Sequence, residues 1–493
     1  MITRREAIVL GAGAVLAAGC GADGRGATRT GSTLASVWAD PGGTGTLQPG
    51  PGEPLVARTE LGPVRPATRV MATLVHLTDA HVLDASSPAR VPFLDRLGDP
   101  FESTFRPQEA LTVQVLAGMT RAIRLLKPDA VIQGGDLIDN DQRNELAWAL
   151  DALRGGVVRN GRYHGVQLAS DPDPFYYRPD LDAPRHPGLL RRAGHSFISP
   201  GVRAPVHPVL GDHDILVAGE LVPTDTTRAL AVGDQALWEL PQGLSLPPGT
   251  QLTAGGSPDG PPLPGLVDQF LAQALAGPKV RVPPDPARRQ MTPAEALEIL
   301  RPGTNGSLDY AVDVGRELRL IVLDLARRGG GSGGLVRPDQ PGWLASQLAG
   351  VGAGAGGRAG AEEQAGRWVI VVSHQPLAGS EGGEALLALL DDHPRVIAAL
   401  AGHTHRNSIQ PRGHYWLINT ASLIDYPQQA RALRVVRTAG GGVAIQTWML
   451  DHTGSALGAI SRQLAYLDAQ GGRPKGFAGG RLDRNVTLYI AGS

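Results

Sequence analysis

Cysteine occurs once in the 493 residues, at Cys20. A lone thiol excludes a disulfide within the chain and any metal site built on paired thiolates. Lysine is nearly absent while Ala, Gly, Arg and Pro abound, which reads as a bias of coding composition rather than of function. Neither sign of charge dominates. The formal net charge is −1, so nothing points to a nucleic-acid polymer or an acidic polymer as partner. The apolar run at the start, from Ala7 to Ala18, is too short to span a bilayer comfortably. No internal repeat is found.

What is present begins with that run. Arg4 and Arg5 precede it and Ala17-Ala18-Gly19-Cys20 follows it. These flanks suit a twin-arginine export leader over residues 1–20, although Ala7 stands where a large apolar residue is usual. The small residues before Cys20 are similar to a lipobox, so lipidation at Cys20 is expected, with plain cleavage or a mis-assigned start as the alternatives. The protein is then extracytoplasmic, touching membrane only through a lipid anchor. Residues 21–68, rich in Gly, Thr and Pro, read as a flexible tether. Stretches 248–265, 329–334 and 350–366 share that composition and read as surface loops. They lack the strand and Lys-Ser/Thr context of a phosphate-cradling glycine loop.

The whole chain is 42% apolar, ample for a large core in one domain or two. Short apolar runs of buried-strand length lie at Thr73–Thr78, Ala130–Gln133, Val206–Leu210, Trp368–Val372 and Val396–Ala401. Leu318–Leu323 and Val443–Met449 add two more. Helical candidates such as Gln108–Leu126 and Glu145–Leu153 separate several of them, an alternation that predicts an α/β domain.

The first five runs end on Asp79-Ala80-His81, Gly134-Gly135-Asp136-Leu137-Ile138-Asp139, Gly211-Asp212-His213-Asp214, Ser373-His374-Gln375-Pro376 and Gly402-His403-Thr404-His405. In open α/β sheets, ligands gather at the carboxyl ends of strands. Residues i and i+2 of extended chain face one side, so Asp79 with His81, and His403 with His405, are expected to project together. Oxygen and imidazole donors without thiolate suit Mn, Zn, Fe or Co. The candidate ligands are too many for one ion and suit two that share a carboxylate.

In this order the motifs D-x-H, G-D-x-x-D, G-x-H-D, a lone H and G-H-x-H resemble the calcineurin-like metallophosphoesterase superfamily, across residues 74–407 and loosely through Asn419-Thr420-Ala421-Ser422. The leader suggests an exported bacterial branch. The resemblance implies a four-layer αββα sandwich with long loop insertions, at about 141–205 and 215–310 of a domain spanning 69–455. Residues 456–493 are then a C-terminal extension. It assigns one metal to Asp79, His81, Asp136 and His405, and a second to Asp136, Asp212, His374 and His403. The cofactors implied are two divalent or mixed-valence ions of Mn, Fe or Zn. Such ions, roughly 3.5–4 Å apart, lower the pKa of bridging water and stabilise both oxygens of an in-line displacement at phosphorus. The activity implied is hydrolysis of a small phosphate ester, with a phosphodiester preferred. The alternatives are a phosphomonoesterase, or a metal-binding lipoprotein with little catalysis. Purple acid phosphatases carry a metal-bound tyrosine shortly after the motif-two acid; Asp139 and Asn140 stand there, which disfavours that branch.

Within this scheme His213 is the general acid, and Asp214 is expected to orient its ring, unless Asp214 only caps the next helix. Asp139 is expected to hold a ligand histidine from behind. Where the family has a glycine soon after this acid, Asn140-Asp141-Gln142 follows. Asp212 departs from the asparagine usual in the family. Three ligand carboxylates and a hydroxide carry four negative charges, which cancel two divalent ions. An altered metal preference is therefore expected, against the alternative of a site that binds metal but turns over poorly. His76, inside a strand, reads as a core histidine. In a chain only 4% aromatic, Phe175, Tyr176, Tyr177 and Arg178 cluster; Tyr176 and Tyr177 are candidates to stack a leaving group and Arg178 to meet phosphate.

Overall fold

The computed structural model describes residues 31–90, 106–159, 186, 189–237, 241–244, 260–263, 265–304, 306–352, 366–471 and 477–492. The leader with Cys20, the cluster Phe175, Tyr176, Tyr177 and Arg178, and most of the loops 248–265 and 350–366 lie outside the described residues.

The elements that position the site are, in chain order, β1 (Val56–Leu61), β2 (Ala67–Leu77), α1 (Thr112–Leu126), β3 (Ala130–Gln133), α2 (Arg143–Arg154), β4 (Val206–Pro208), β5 (Tyr310–Val314), β6 (Leu318–Leu323), α3 (Gln340–Gly352), β7 (Trp368–Ser373), α4 (Gly383–Asp391), β8 (Val396–Ala401), β9 (Ser408–Arg412), β10 (Tyr415–Asn419), β11 (Gln429–Thr438), β12 (Val443–Asp451), α5 (Ala456–Gly471) and β13 (Val486–Ile490). They build two mixed sheets. The seven-stranded sheet has the order β1-β13-β12-β11-β2-β3-β4, and the six-stranded sheet β5-β6-β7-β8-β10-β9. β2, β3 and β4 are parallel, with Leu74 opposite Ala130 and Val131 opposite Val206. β6, β7, β8 and β10 are likewise parallel.

The strand sequences explain the layering. β7 and β8 are apolar almost throughout and buried at every residue, which is what a parallel strand covered on both faces requires. Their side chains alternate. Ile370, Val372, Ala398 and Leu400 join the core shared with the seven-stranded sheet. Val369, Val371, Val396 and Ala399 pack outward against Leu344 and Leu348 of α3 and Leu386, Leu387 and Leu390 of α4. On the other side, α1 turns Val115, Leu116, Met119 and Ile123 into the shared core, at spacings that line one helical face. α1 stops at Lys127, whose left-handed backbone (φ 54°) caps it through N–H to the Ile123 carbonyl, and Pro128 follows. The result is helix, sheet, sheet, helix, a mixed α/β fold. No helix among the described residues is long and apolar enough to cross a membrane.

Two expected boundaries are corrected. The tether does not extend to residue 68: β1 lies in it and runs parallel to β13, Val56 opposite Val486. Thr33 Oγ1 also donates to the Met449 carbonyl. The C-terminal stretch is no appendage either, because β13 sits between β12 and β1. Composition hid both segments, since β1 and β13 pair with each other across more than 400 residues of chain. The glycine stretch 329–334 is not a surface loop: Gly330, Gly331 and Ser332 are buried. Leu488 of β13 is fully buried. Leu488→Ala should therefore lower stability by about 2–5 kcal/mol in denaturant unfolding, whereas truncation on a loose extension would leave the midpoint where it was.

Candidate dinuclear metal centre

The motif residues leave the carboxyl ends of β2, β3 and β4 in one sheet and of β7 and β8 in the other, and meet where those edges adjoin. The seven expected ligands fall into two donor groups, and His81 with Asp139 and His213 makes a third. Asp79, His81 and His405 make one, and Asp136, Asp212, His374 and His403 the other, the donor atoms of each lying within 4.8 Å of one another. Asp136 stands between them. Its Oδ2 lies 3.7 Å from His81 Nε2 and 3.0 Å from His374 Nε2. All seven expected ligands are thus brought together, with Asp79, Asp136 and Asp212 almost wholly buried.

They converge for a different reason from the one the i, i+2 spacing suggests. Asp79, His81, Asp136, His403 and His405 have φ of 53°, 41°, 48°, 62° and 55°, in the left-handed region rather than the extended one. Non-glycine residues rarely stand there, and such strain collects at functional sites. Cross-bonds hold these turns. The Asp79 N–H donates to the Gly135 carbonyl and the His81 N–H to the Asp136 carbonyl, both at 3.0 Å; the His403 N–H donates to Asp79 Oδ1 at 3.0 Å. Gly135 (φ 94°) is required for a second reason: a Cβ there would meet His374 Nδ1 at 2.4 Å.

For three of the four imidazoles the nitrogen turned away from the centre is tied. His81 Nδ1 bonds Asp139 Oδ1 at 3.0 Å, His405 Nδ1 bonds Asp425 Oδ2 at 2.6 Å, and His374 Nδ1 bonds the Gly134 carbonyl at 2.8 Å. Neutral rings so tied present the bare Nε2 inward. His374 Nε2 is buried without a hydrogen-bond partner, facing Asp136 Oδ2 at 3.0 Å and Asp212 Oδ1 at 3.3 Å. His81 Nε2 and His405 Nε2 face each other at 3.2 Å. Lone pairs and carboxylates aimed at one another need positive charge between them. The titration directions say the same. Burial works against the charge of both rings, yet Asp136, Asp212 and Asp79 raise His374 well above the usual range, and Asp79 with Asp425 raises His405 to about 9, while His81 is lowered, chiefly by burial. Burial would raise Asp79; His405, His374 and His81 hold it below the ordinary range instead. The donor set fits two ions of the Mn, Fe or Zn type.

Asp212 turns Oδ1 to this centre, 3.4 Å from His403 Nδ1, and there also accepts a hydrogen bond from Gln375 Nε2 at 2.9 Å. Its Oδ2 lies 3.9 Å from His213 Nε2. The expected pairing of Asp214 with His213 is not made. Asp214 is buried and accepts from the backbone N–H groups of Gly211, Leu137 and Ile138, stitching two ligand turns together. His213 Nδ1 instead donates to the Asp139 carbonyl at 2.8 Å, with Asp139 Oδ1 3.6 Å away. Asp139 therefore backs two histidines. Asn140 braces it, donating to Asp139 Oδ2 and accepting from the Ala218 N–H. Gly219 (φ 74°) lets the next turn lie against the ring, since a Cβ there would meet His213 Cδ2 at 2.4 Å. His76 is a core histidine bonded to Thr420 Oγ1 and pushed down to about 3 by burial. Sequence reasoning missed Asp425 and Gly219, which stand in no motif, and Gln375, which follows a motif histidine but is not of a type that points to a metal ligand.

No family model matches the chain, and no curated protein matches it. Solved structures do. A dimetal phosphatase from Danio rerio is 12% identical, with a TM-score of 0.40 over 78% of this chain and 100% of its own. The GAP50 anchor of the inner membrane complex of Plasmodium is 11% identical, with a TM-score of 0.30 over 80% of this chain and 95% of its own. A Staphylococcus aureus structure described as a 5′-nucleotidase is 13% identical, with a TM-score of 0.21 over 33% and 34%. Likenesses this distant decide nothing about this chain; its own side chains do.

The chain equilibrated with Mn²⁺ and desalted should hold two ions by elemental analysis. His374→Ala should hold one, because His374 belongs to only one of the two groups; full retention by the variant would show that His374 is no ligand.

Proposed function

We propose that the chain is a metal-dependent hydrolase of phosphate esters that prefers phosphodiesters. The observation that carries this is the pair of Asp/His donor groups joined at Asp136, with His213 at their open side. Two ions held there supply Lewis acidity and an activated water to phosphoryl chemistry.

The chain's own residues supply the rest. With Nδ1–H held by the Asp139 carbonyl, His213 presents Nε2 to the site and can deliver a proton to a departing oxygen. Burial disfavours its charged form, but Asp136, Asp139 and Asp212 reverse this and raise it above its ordinary value. Its ring is one-fifth exposed, open enough to meet substrate. Asp139 orients it and His81 together.

Asp212 sets the ester class. Burial works against its charge, yet His374 and His403 hold it well below the carboxylate range, so it brings a full negative charge to the centre. That charge repels a dianionic monoester more than a monoanionic diester. The leader at Arg4 and Arg5 supports an extracytoplasmic site of action.

The test is turnover of bis(4-nitrophenyl) phosphate against 4-nitrophenyl phosphate with Mn²⁺ supplied. Diester turnover should fall about 10²–10⁴-fold in His213→Ala. Asp212→Asn should raise monoester turnover relative to diester. An unchanged ratio with unchanged metal content would end the charge argument, and no turnover by a chain holding two ions would make it a binding protein.

A further inference from the structure

The two donor groups are not backed alike. In the first, both imidazoles are tied to carboxylates: His81 to Asp139 at 3.0 Å and His405 to Asp425 at 2.6 Å. In the second, His374 is tied to a neutral carbonyl, that of Gly134. A carboxylate behind an imidazole fixes the tautomer and makes the metal-facing nitrogen more basic than a peptide carbonyl does.

Asp425 is itself held in place. Its N–H donates to Ser422 Oγ at 2.9 Å, and its Oδ1 accepts from Arg106 Nε at 2.8 Å. The Arg106 N–H in turn donates to Glu109 Oε2, just before α1. Asp425 and Arg106 are both buried, so the pair is screened little by solvent. The ring of His405 is thereby fixed from the far side of the site, by a loop that carries no ligand.

We infer that Asp425, with Arg106 behind it, is a positioning residue for His405 and makes the Asp79–His81–His405 group the tighter of two metal positions. This rests on the dinuclear reading above. Asp425 touches no reacting atom, and its effect passes through the imidazole. The second position, with its carbonyl-backed ring, is the one that loads later and exchanges faster.

The test is a Mn²⁺ titration of the full chain, stripped with EDTA and dialysed, followed by calorimetry and by the electron-paramagnetic signal of free Mn²⁺. The wild type should bind two ions in two steps. Asp425→Asn, which keeps size and removes charge, should weaken the tighter step by roughly 10–100-fold and leave the weaker step in place. Asp425→Glu should recover part of the loss, and Arg106→Gln should show a smaller loss on the same step. Melting of the metal-free variants separates positioning from support: Asp425→Asn should melt near the wild type. Should it fail to fold, Arg106→Gln carries the same expectation at reduced size. A lower metal-free melt with both binding steps unchanged would overturn the inference, as would a shift confined to the weaker step. A wild type that binds no Mn²⁺ would remove the dinuclear reading and this inference with it. Two bound ions and an unmoved tight step in Asp425→Asn would remove the inference alone.

Discussion

Three carboxylates lie buried within reach of one another at the edge where the two sheets meet, with four imidazoles turned toward them. Buried charge is costly unless it is paired and hydrogen-bonded. Much of the surrounding structure answers that demand. The inward Nε2 atoms of His81, His374 and His405 lie within 4 Å of the carboxylates. The outward Nδ1 atoms are tied to Asp139, Gly134 and Asp425. Asp214, excluded from the centre, spends its oxygens on the amides of two ligand turns instead.

Geometry imposes a second cost. Five of the seven donors stand in left-handed backbone, at of order 1–3 kcal/mol each. The turns persist because they bind one another: the first strand's turn to the second, and the fifth to the first, through the Asp79 and His81 amides and the Asp79 carboxylate. Those turns in turn hang on strands whose apolar faces are sealed in the shared core. Strain at the site is therefore carried by the sheets beneath it. His213 benefits from the same rigidity, since both its N–H and its Nδ1 are anchored, to Asp136 Oδ1 and the Asp139 carbonyl.

Asp212 joins the two themes. As a carboxylate it adds charge to an already acidic centre, and the chain accommodates it with Gln375, whose amide bridges Asp212 Oδ1 to the Ser332 carbonyl. The glycine stretch that holds Ser332 is buried at Gly330, Gly331 and Ser332. Gly331 N–H donates to the Glu220 carbonyl, and Glu220 follows the glycine that makes room for His213. One side of the centre is thus a connected set of contacts reaching from Asp212 Oδ1 to His213.

By itself the sequence determined the parts that local pattern controls. Apolar runs of buried-strand length placed β3, β6 and β8 to the residue, and the Asp and His that follow five such runs are the seven residues that come together. Such runs are legible because a doubly covered strand must be apolar throughout, whatever it packs against. Only the tertiary structure decided which partners those donors have. His213 is held by Asp139 and not by its neighbour Asp214, whose oxygens accept from the backbone N–H groups of Leu137, Ile138 and Gly211. Asp425 reaches His405, and β1 reaches β13, across distances in sequence that carry no pattern. A hydrogen bond or a strand register between remote segments depends on where the whole core brings them, and nothing in either segment alone records it.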